Sequence, residues 1–178
     1  MPLRVRQSAQ RTLGQRLALR IPALAGAYIR LIGRLAPGSR LRRALVSRYF
    51  RDGVEAVNRR DYDVVLLGVE PDYEVHPPRE MVTAGFVASS YRGRDGYHAW
   101  VSTWQDVWGE DVRLEAAELI DLGDRAVLLA QIRARGQSSG IALSWEFASV
   151  STFENGRAIR DDVYGDHRQA LAAVGWRD

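Results

Sequence analysis

The segment Trp145 to Asp166, WEFASVSTFENGRAIRDDVYGD, constrains the fold more than any other part of this chain. Two alternating runs flank Asn155-Gly156, and since glycine reaches positive φ without a Cβ clash and asparagine tolerates it, the pair predicts a β-hairpin. Alternation with period two puts Trp145, Phe147, Ser149 and Ser151 on one face of the first strand, with Glu146, Ala148 and Val150 on the other. Along the second strand Ile159, Asp161 and Val163 oppose Arg160, Asp162 and Tyr164. A two-residue Asn-Gly loop would set Ser149 beside Asp162, whereas a three-residue Glu-Asn-Gly loop closed by a glycine bulge would set it beside Asp161. Local propensity does not choose between them.

Upstream of the hairpin, helical patterns come first and strand patterns follow. Pro37-Gly38-Ser39 marks a boundary, because proline and glycine end one helix and Ser39 can N-cap the next. Residues 1–38 read as a basic helical extension and residues 39–178 as the body. Leu41, Leu45, Tyr49, Phe50, Val54 and Val57 recur at helical spacing as far as Asn58. Asp61 is a plausible N-cap for a short second helix with Val64, Val65 and Leu67, stopped by Pro71. DYEVHPP then reads as a strand with Tyr73 and Val75 on one face and Glu74 and His76 on the other, ended by Pro77-Pro78. Arg79 to Gly93 has no clear period and reads as a flap. Tyr97, Trp100, Val101, Trp104, Val107 and Trp108 follow helical spacing with a strongly aromatic stripe, the kind of stripe that usually packs a core. Val112 to Ile120, Arg125 to Arg135 and Ile141 to Phe153 read as strands, broken by turns at Gly123-Asp124 and Gly136 to Gly140. Helices followed by long antiparallel strands imply an α+β domain with helices covering one face of a sheet.

Charge is distributed unevenly. The 178 residues hold 25 basic groups, all arginine, and 22 acids, yet residues 1–51 carry twelve arginines and no acid. The remainder holds thirteen arginines against all 22 acids. A basic arm can be drawn to nucleic acid or to anionic lipid. Its arginines are interleaved with Leu, Ile and Ala and accompany no nucleic-acid-binding motif, so no nucleic-acid partner is expected. Ile21 to Leu35 is too short and too interrupted for the ~20 apolar residues of a spanning helix. It fits a short interfacial helix, with Leu24, Tyr28, Ile29 and Ile32 on one side, equally well as packing on the body or on a second subunit. The chain has no cysteine, and His76, His98 and His167 stand at none of the usual metal-ligand spacings. No metal and no cofactor are expected.

The order of VNRRDYDVVLLGVEPDYEVHPP, YRGRDGYHAW, ELIDLGDRAVLLAQIRARG and FASVSTFENGRAIRDDVYGD resembles the nuclear transport factor 2-like superfamily. Within it, the resemblance is to SnoaL-like domains related to ketosteroid isomerases and polyketide cyclases, over roughly residues 42–176. It implies a cone-like, curved antiparallel sheet wrapped around three helices, also called cystatin-like, enclosing a mostly apolar cavity suited to a small hydrophobic molecule. It favours the three-residue hairpin loop, with Phe147, Ser149, Asp161 and Val163 facing the cavity. Tyr49, Trp104 and Trp145 complete the expected ligand-binding set. The position of the proton-moving carboxylate of the isomerases reads here as His76, whose ordinary pKa near ~6.5 suits proton transfer. The oxyanion-stabilising acid and tyrosine fall near Ser149 and Gly53, where neither residue type matches; Tyr49, one turn earlier, could substitute. The last-strand aspartate of the cyclases reads as Val163, with Asp161 two residues before it on the same face.

The catalytic candidates are therefore His76 and Asp161, in a cofactor-independent isomerase, cyclase, dehydratase or hydrolase. Each has a plainer alternative: Asp161 paired with Arg133, Arg135 or Arg160, and His76 hydrogen-bonded at a strand end. The functional alternative is a non-catalytic binding or interaction module docked to a membrane or partner by its arginine-rich arm. A cytoplasmic homodimer formed through the convex sheet face is expected, with peripheral membrane contact through residues 1–38 as a further expectation.

Overall fold

The computed structural model of the chain describes residues 10–108, 112–135 and 142–176. The predicted turn at Gly136 to Gly140 and the arginines at positions 4 and 6 lie outside them. Two helices, α1 (Leu13–Arg20) and α2 (Pro22–Arg34), precede the long α3 (Arg40–Asn58) and the short α4 (Tyr62–Val65). Then come β1 (Val69–His76), α5 (Arg79–Thr83), β2 (Tyr91–Arg92) and α6 (Gly93–Trp108). The long strands β3 (Arg113–Asp121), β4 (Arg125–Arg135), β5 (Ala142–Glu154) and β6 (Arg157–Tyr164) follow, and α7 (His167–Ala173) ends the fold. The segment read as a flap thus contains a helical turn and a two-residue strand, and α7 is an addition to the sequence reading.

The sheet is curved and open, in the order β2-β1-β6-β5-β4-β3. Every pairing is antiparallel except β1 with β6, which is parallel. That exception follows from topology, because β1 enters the sheet beside the last strand after the helices have crossed the concave face. Ser39 caps α3 through its Oγ, which accepts from the Arg42 N–H at 3.2 Å.

The hairpin follows neither predicted register. The loop is the two-residue one: Asn155 and Gly156 both have positive φ (50° and 84°), as a primed hairpin turn requires, and Glu154 pairs with Arg157. One step beyond Phe153 paired with Ala158, however, the register shifts at Ile159, and Thr152 pairs with Arg160. This bulge adds a residue to β6 and reverses the facing of everything after it. Ser151 therefore lies opposite Asp161, and Ser149 opposite Val163. Ala158, rather than Ile159, joins Asp161 and Val163 on the concave face.

Helices as short as α1 and α2 are marginal in isolation and are held here by packing. Gln15, Gly26, Ile29 and Ile32 are buried. Gly156 meets the Ile29 carbonyl so closely that a Cβ there would overlap it, and a Cβ on Gly33 would come within 3.1 Å of Gly156. The turn glycine thus serves two purposes, left-handed backbone and close approach of α2. Arg42, only 5% exposed, locks the other side of this junction. Its Nε and Nη2 form a bidentate pair with Asp121 at 2.7 and 2.9 Å, Nη1 donates to the carbonyls of Ile32 and Leu35, and Nη2 also donates to the Gly123 carbonyl. All five guanidinium donors are used, so one side chain ties the α2–α3 connection to the β3–β4 turn.

Candidate functional site

The concave face of the sheet and the helices enclose a cavity of about 550 Å³. Its floor comes from the alternation of β5 and β6, which turns Phe147, Ser149 and Ser151 inward on one strand and Asp161 and Val163 on the other. Tyr73 and Val75 of the neighbouring β1 extend this floor, and Tyr97 and Trp104 of α6 with Tyr49 of α3 complete the wall. The wall is largely aliphatic and aromatic, and its carboxylates among the described residues are Asp52 and Asp161. Asp52 sits beside Arg48, 3.7 Å away, with partial burial holding its carboxyl above the usual range.

Asp161 is the unusual group. Its Oδ2 accepts from the Tyr73 hydroxyl at 2.7 Å, while Oδ1 is closed off from solvent and has no hydrogen-bond partner. Loss of hydration pushes the carboxyl above its ordinary pKa, and the neighbouring Ser151 and Tyr73 hydroxyls offset this only in part. Arg133 pairs with Glu115 and Arg160 with Asp162, so neither neutralises Asp161. Three tyrosines feel its charge. Burial first and Asp161 second raise Tyr49, Tyr73 and Tyr97 above the usual phenol value, so each keeps its proton; Tyr73 donates its own to Asp161.

Of the residues selected from sequence, Tyr49, Trp104, Phe147, Ser149, Asp161 and Val163 all line this cavity. Trp145 does not. Its ring stacks on Trp104 with centroids 6.3 Å apart and planes 9° apart, and it lies in a neighbouring depression with Met81 and Tyr164, behind a partition made by Trp104 and Phe147. His76 is also outside. Tyr73 and Val75 are buried toward the cavity, so alternation sends His76 to the opposite face, where Nε2 meets Glu74 at 3.1 Å and Nδ1 lies 3.9 Å from Asp162. The resemblance had set His76 where a cavity base belongs, and the pleat of β1 overrules it. Tyr73, Tyr97 and Ser151 were missed, although the inward placement of Tyr73 and Ser151 follows from strand periodicity alone. Among the described residues, no group of three or more His, Asp and Glu stands close enough to hold a metal ion.

Tyr49 is fixed by donating to the Gly68 carbonyl at 3.2 Å, and a Cβ on Gly68 would fall on its hydroxyl. Gly68→Ala is therefore expected to cost about 1–3 kcal/mol by overpacking. In a Tyr49→Phe background only part of that loss should be recovered, because the ring carbons Cζ and Cε2 would still lie 2.8 and 2.9 Å from the new Cβ, and a double-mutant cycle of urea unfolding checks this.

The architecture is that of the nuclear transport factor 2-like folds, and solved structures agree. A nuclear transport factor 2-like protein of unknown function from Burkholderia pseudomallei is 28% identical, with a TM-score of 0.59 over 70% of this chain and 93% of that one. TerC, in a crystal with polyporic acid, is 23% identical with a TM-score of 0.59 over 70% and 96% of the two chains. Bal32a, from a soil-derived mobile gene cassette, is 20% identical with a TM-score of 0.56 over 74% and 95%. None of the curated proteins matches in sequence. The family model of the SnoaL-like domain matches residues 46–160, and the chain belongs to that family.

Proposed function

We propose that the protein binds a small, largely apolar molecule in the cavity and moves a proton on it through Asp161, the step used by isomerases, cyclases and dehydratases. The observation that carries this reading is the Asp161 Oδ1 with no partner in an apolar wall. Such an oxygen favours a carboxyl that keeps its proton to higher pH than an ordinary aspartate, and so makes its carboxylate a stronger base than a solvated one. In the simplest step the Asp161 carboxylate takes a proton from a carbon beside a ligand carbonyl. The C–H electron pair becomes the C=C bond of an enolate while the carbonyl π pair moves onto oxygen, and Asp161, whose proton exchanges with solvent during the enolate's lifetime, then delivers a proton to a different atom. Tyr97, protonated and beside Tyr73 with ring centroids 6.2 Å apart, supplies a donor for the enolate oxygen. The step needs no cofactor.

A storage role without turnover is the second reading. It is favoured by Val163, buried in the cavity wall at the position where the family resemblance would put the cyclase acid. One experiment separates the two. Native mass spectrometry of the full chain purified from its own host should find the same retained small molecule on wild type and on Asp161→Asn, with only wild type converting it. Conversion by both proteins removes Asp161 from the chemistry. Failure of either to take up apolar ligands removes the cavity as a binding site.

The raised Asp161 value also predicts how stability depends on pH. A carboxyl that holds its proton more tightly when folded adds stability that is fully present below the ordinary carboxylate range and is lost as pH rises through its own higher value. Asp161→Asn removes that loss, so its thermal midpoint should exceed that of wild type at neutral pH, with the gap closing in acid. Thermal melts across pH read this directly.

A further inference from the structure

We propose that α1 and α2 form a docking surface for an anionic lipid membrane, set at the rim of the cavity. Leu13 (82% exposed), Leu17, Ile21, Leu24 and Leu31 lie in water within 19 residues of sequence, and most of the remaining exposed large apolar side chains are scattered singly. Leu13 and Leu17 stand one turn apart on α1, and Leu24 and Leu31 two turns apart on α2 with exposed Ala27 between them. A ridge of that kind on water-facing helices marks an interaction surface.

Its charge selects the partner. Arg16, Arg20, Arg30 and Arg34 are exposed around the ridge, and residues 1–51 contain no acid at all. The remainder of the chain carries nine more acids than arginines, so an anionic surface attracts these helices and repels the body. A second copy of this chain is a poor occupant, since a two-fold contact would bring two purely basic ridges face to face. The helices suit a position in the plane of the interface, and among the described residues none is long and apolar enough to cross a membrane.

The face read from sequence as Leu24, Tyr28, Ile29 and Ile32 is divided in the structure: Leu24 stays exposed, while Ile29 and Ile32 are buried against the body, Gly33 packs on Gly156 and the Tyr28 hydroxyl donates to the Leu45 carbonyl at 3.1 Å. The ridge is therefore presented outward on a fixed base. Leu17 and Leu24 belong to it and also line the cavity, while each remains 49% exposed. The ridge and the cavity wall thus share these two side chains, which gives an apolar ligand a short route from the bilayer to the cavity. This docking holds whether or not Asp161 does chemistry.

The test is co-sedimentation of the full chain with vesicles of phosphatidylcholine, with and without phosphatidylglycerol. The protein should sediment with the phosphatidylglycerol vesicles at low salt and be released as salt shortens the Debye length from about 30 Å toward 3 Å. Leu13→Gln/Leu31→Gln, which spares the cavity wall, should lower partitioning roughly tenfold or more with an unchanged thermal midpoint. Arg16→Gln/Arg20→Gln/Arg34→Gln should abolish the preference for phosphatidylglycerol. Absence of binding at low salt, or equal binding by both variants and wild type, overturns the proposal. So does a dimer in sedimentation velocity that the leucine variant dissolves, because the ridge would then be a contact between copies.

Discussion

Asp161→Asn should lower kcat by roughly 100-fold to 10,000-fold, the range that a positioned general acid or base contributes, while leaving ligand affinity near wild type. Asparagine keeps the shape and still accepts from the Tyr73 hydroxyl, now 2.7 Å from Asp161 Oδ2, so the fold has no reason to fail. It cannot carry the proton. The loss should therefore fall on kcat rather than KM, and the same substitution should stabilise the protein at neutral pH by relieving a buried carboxylate whose Oδ1 has no hydrogen-bond partner. Higher stability together with lost turnover is a pairing that a purely structural aspartate would not give. Tyr73→Phe sharpens the assignment. Removing its hydrogen bond takes away one of the two groups that favour the ionised form, so the acidic limb of the pH–rate profile should move to higher pH while activity persists.

Arg42→Ala should be the most damaging substitution for stability, at about 3–5 kcal/mol, since it leaves the buried Asp121 carboxylate without its cation and strands the carbonyls of Ile32, Leu35 and Gly123. For a chain of this size that is a fall of roughly 10 °C in thermal midpoint. Arg42→Met paired with Asp121→Leu should cost less than Arg42→Ala alone, because two matched apolar side chains leave no buried charge behind. Lysine is a poor substitute, as one ammonium cannot reproduce five donors pointing to Asp121 and three carbonyls. Urea unfolding of the three variants orders them.

The helices and strands were largely legible because their signals are local. Ser39 as an N-cap, the 3.6-residue period of α3 and the Asn155-Gly156 turn need no distant partner, and each stands where its chemistry puts it. The order of quoted motifs carried the family. The face of Asp161 is less legible, because it depends on a bulge at Ile159 that leaves no glycine or break in RAIRDDVY; the turn sequence offers two registers, and the bulge makes a third. Asp161 nevertheless faces the cavity, by a route that the turn alone does not reveal. His76 shows the opposite failure, in which a position carried over by resemblance outweighed the alternation of Tyr73 and Val75 read directly from the strand. Tyr97 and Tyr73 approach Asp161 across 64 and 88 residues of sequence, and no local pattern encodes that meeting. The dual use of Gly156, turn and seat for α2, is likewise visible only once Ile29 lies against it.

The central claim, a proton moved by Asp161 on a carbon acid in an apolar cavity, is tested most directly by deuterium exchange. The molecule retained by the full chain is incubated in D2O with wild type and with Asp161→Asn, and its mass is followed. Wild type should introduce deuterium at a single carbon position at a rate that Asp161→Asn lowers at least a hundredfold, the low end of the range for acid–base catalysis. The same incorporation rate in the variant, or neither incorporation nor conversion by wild type, would contradict the account.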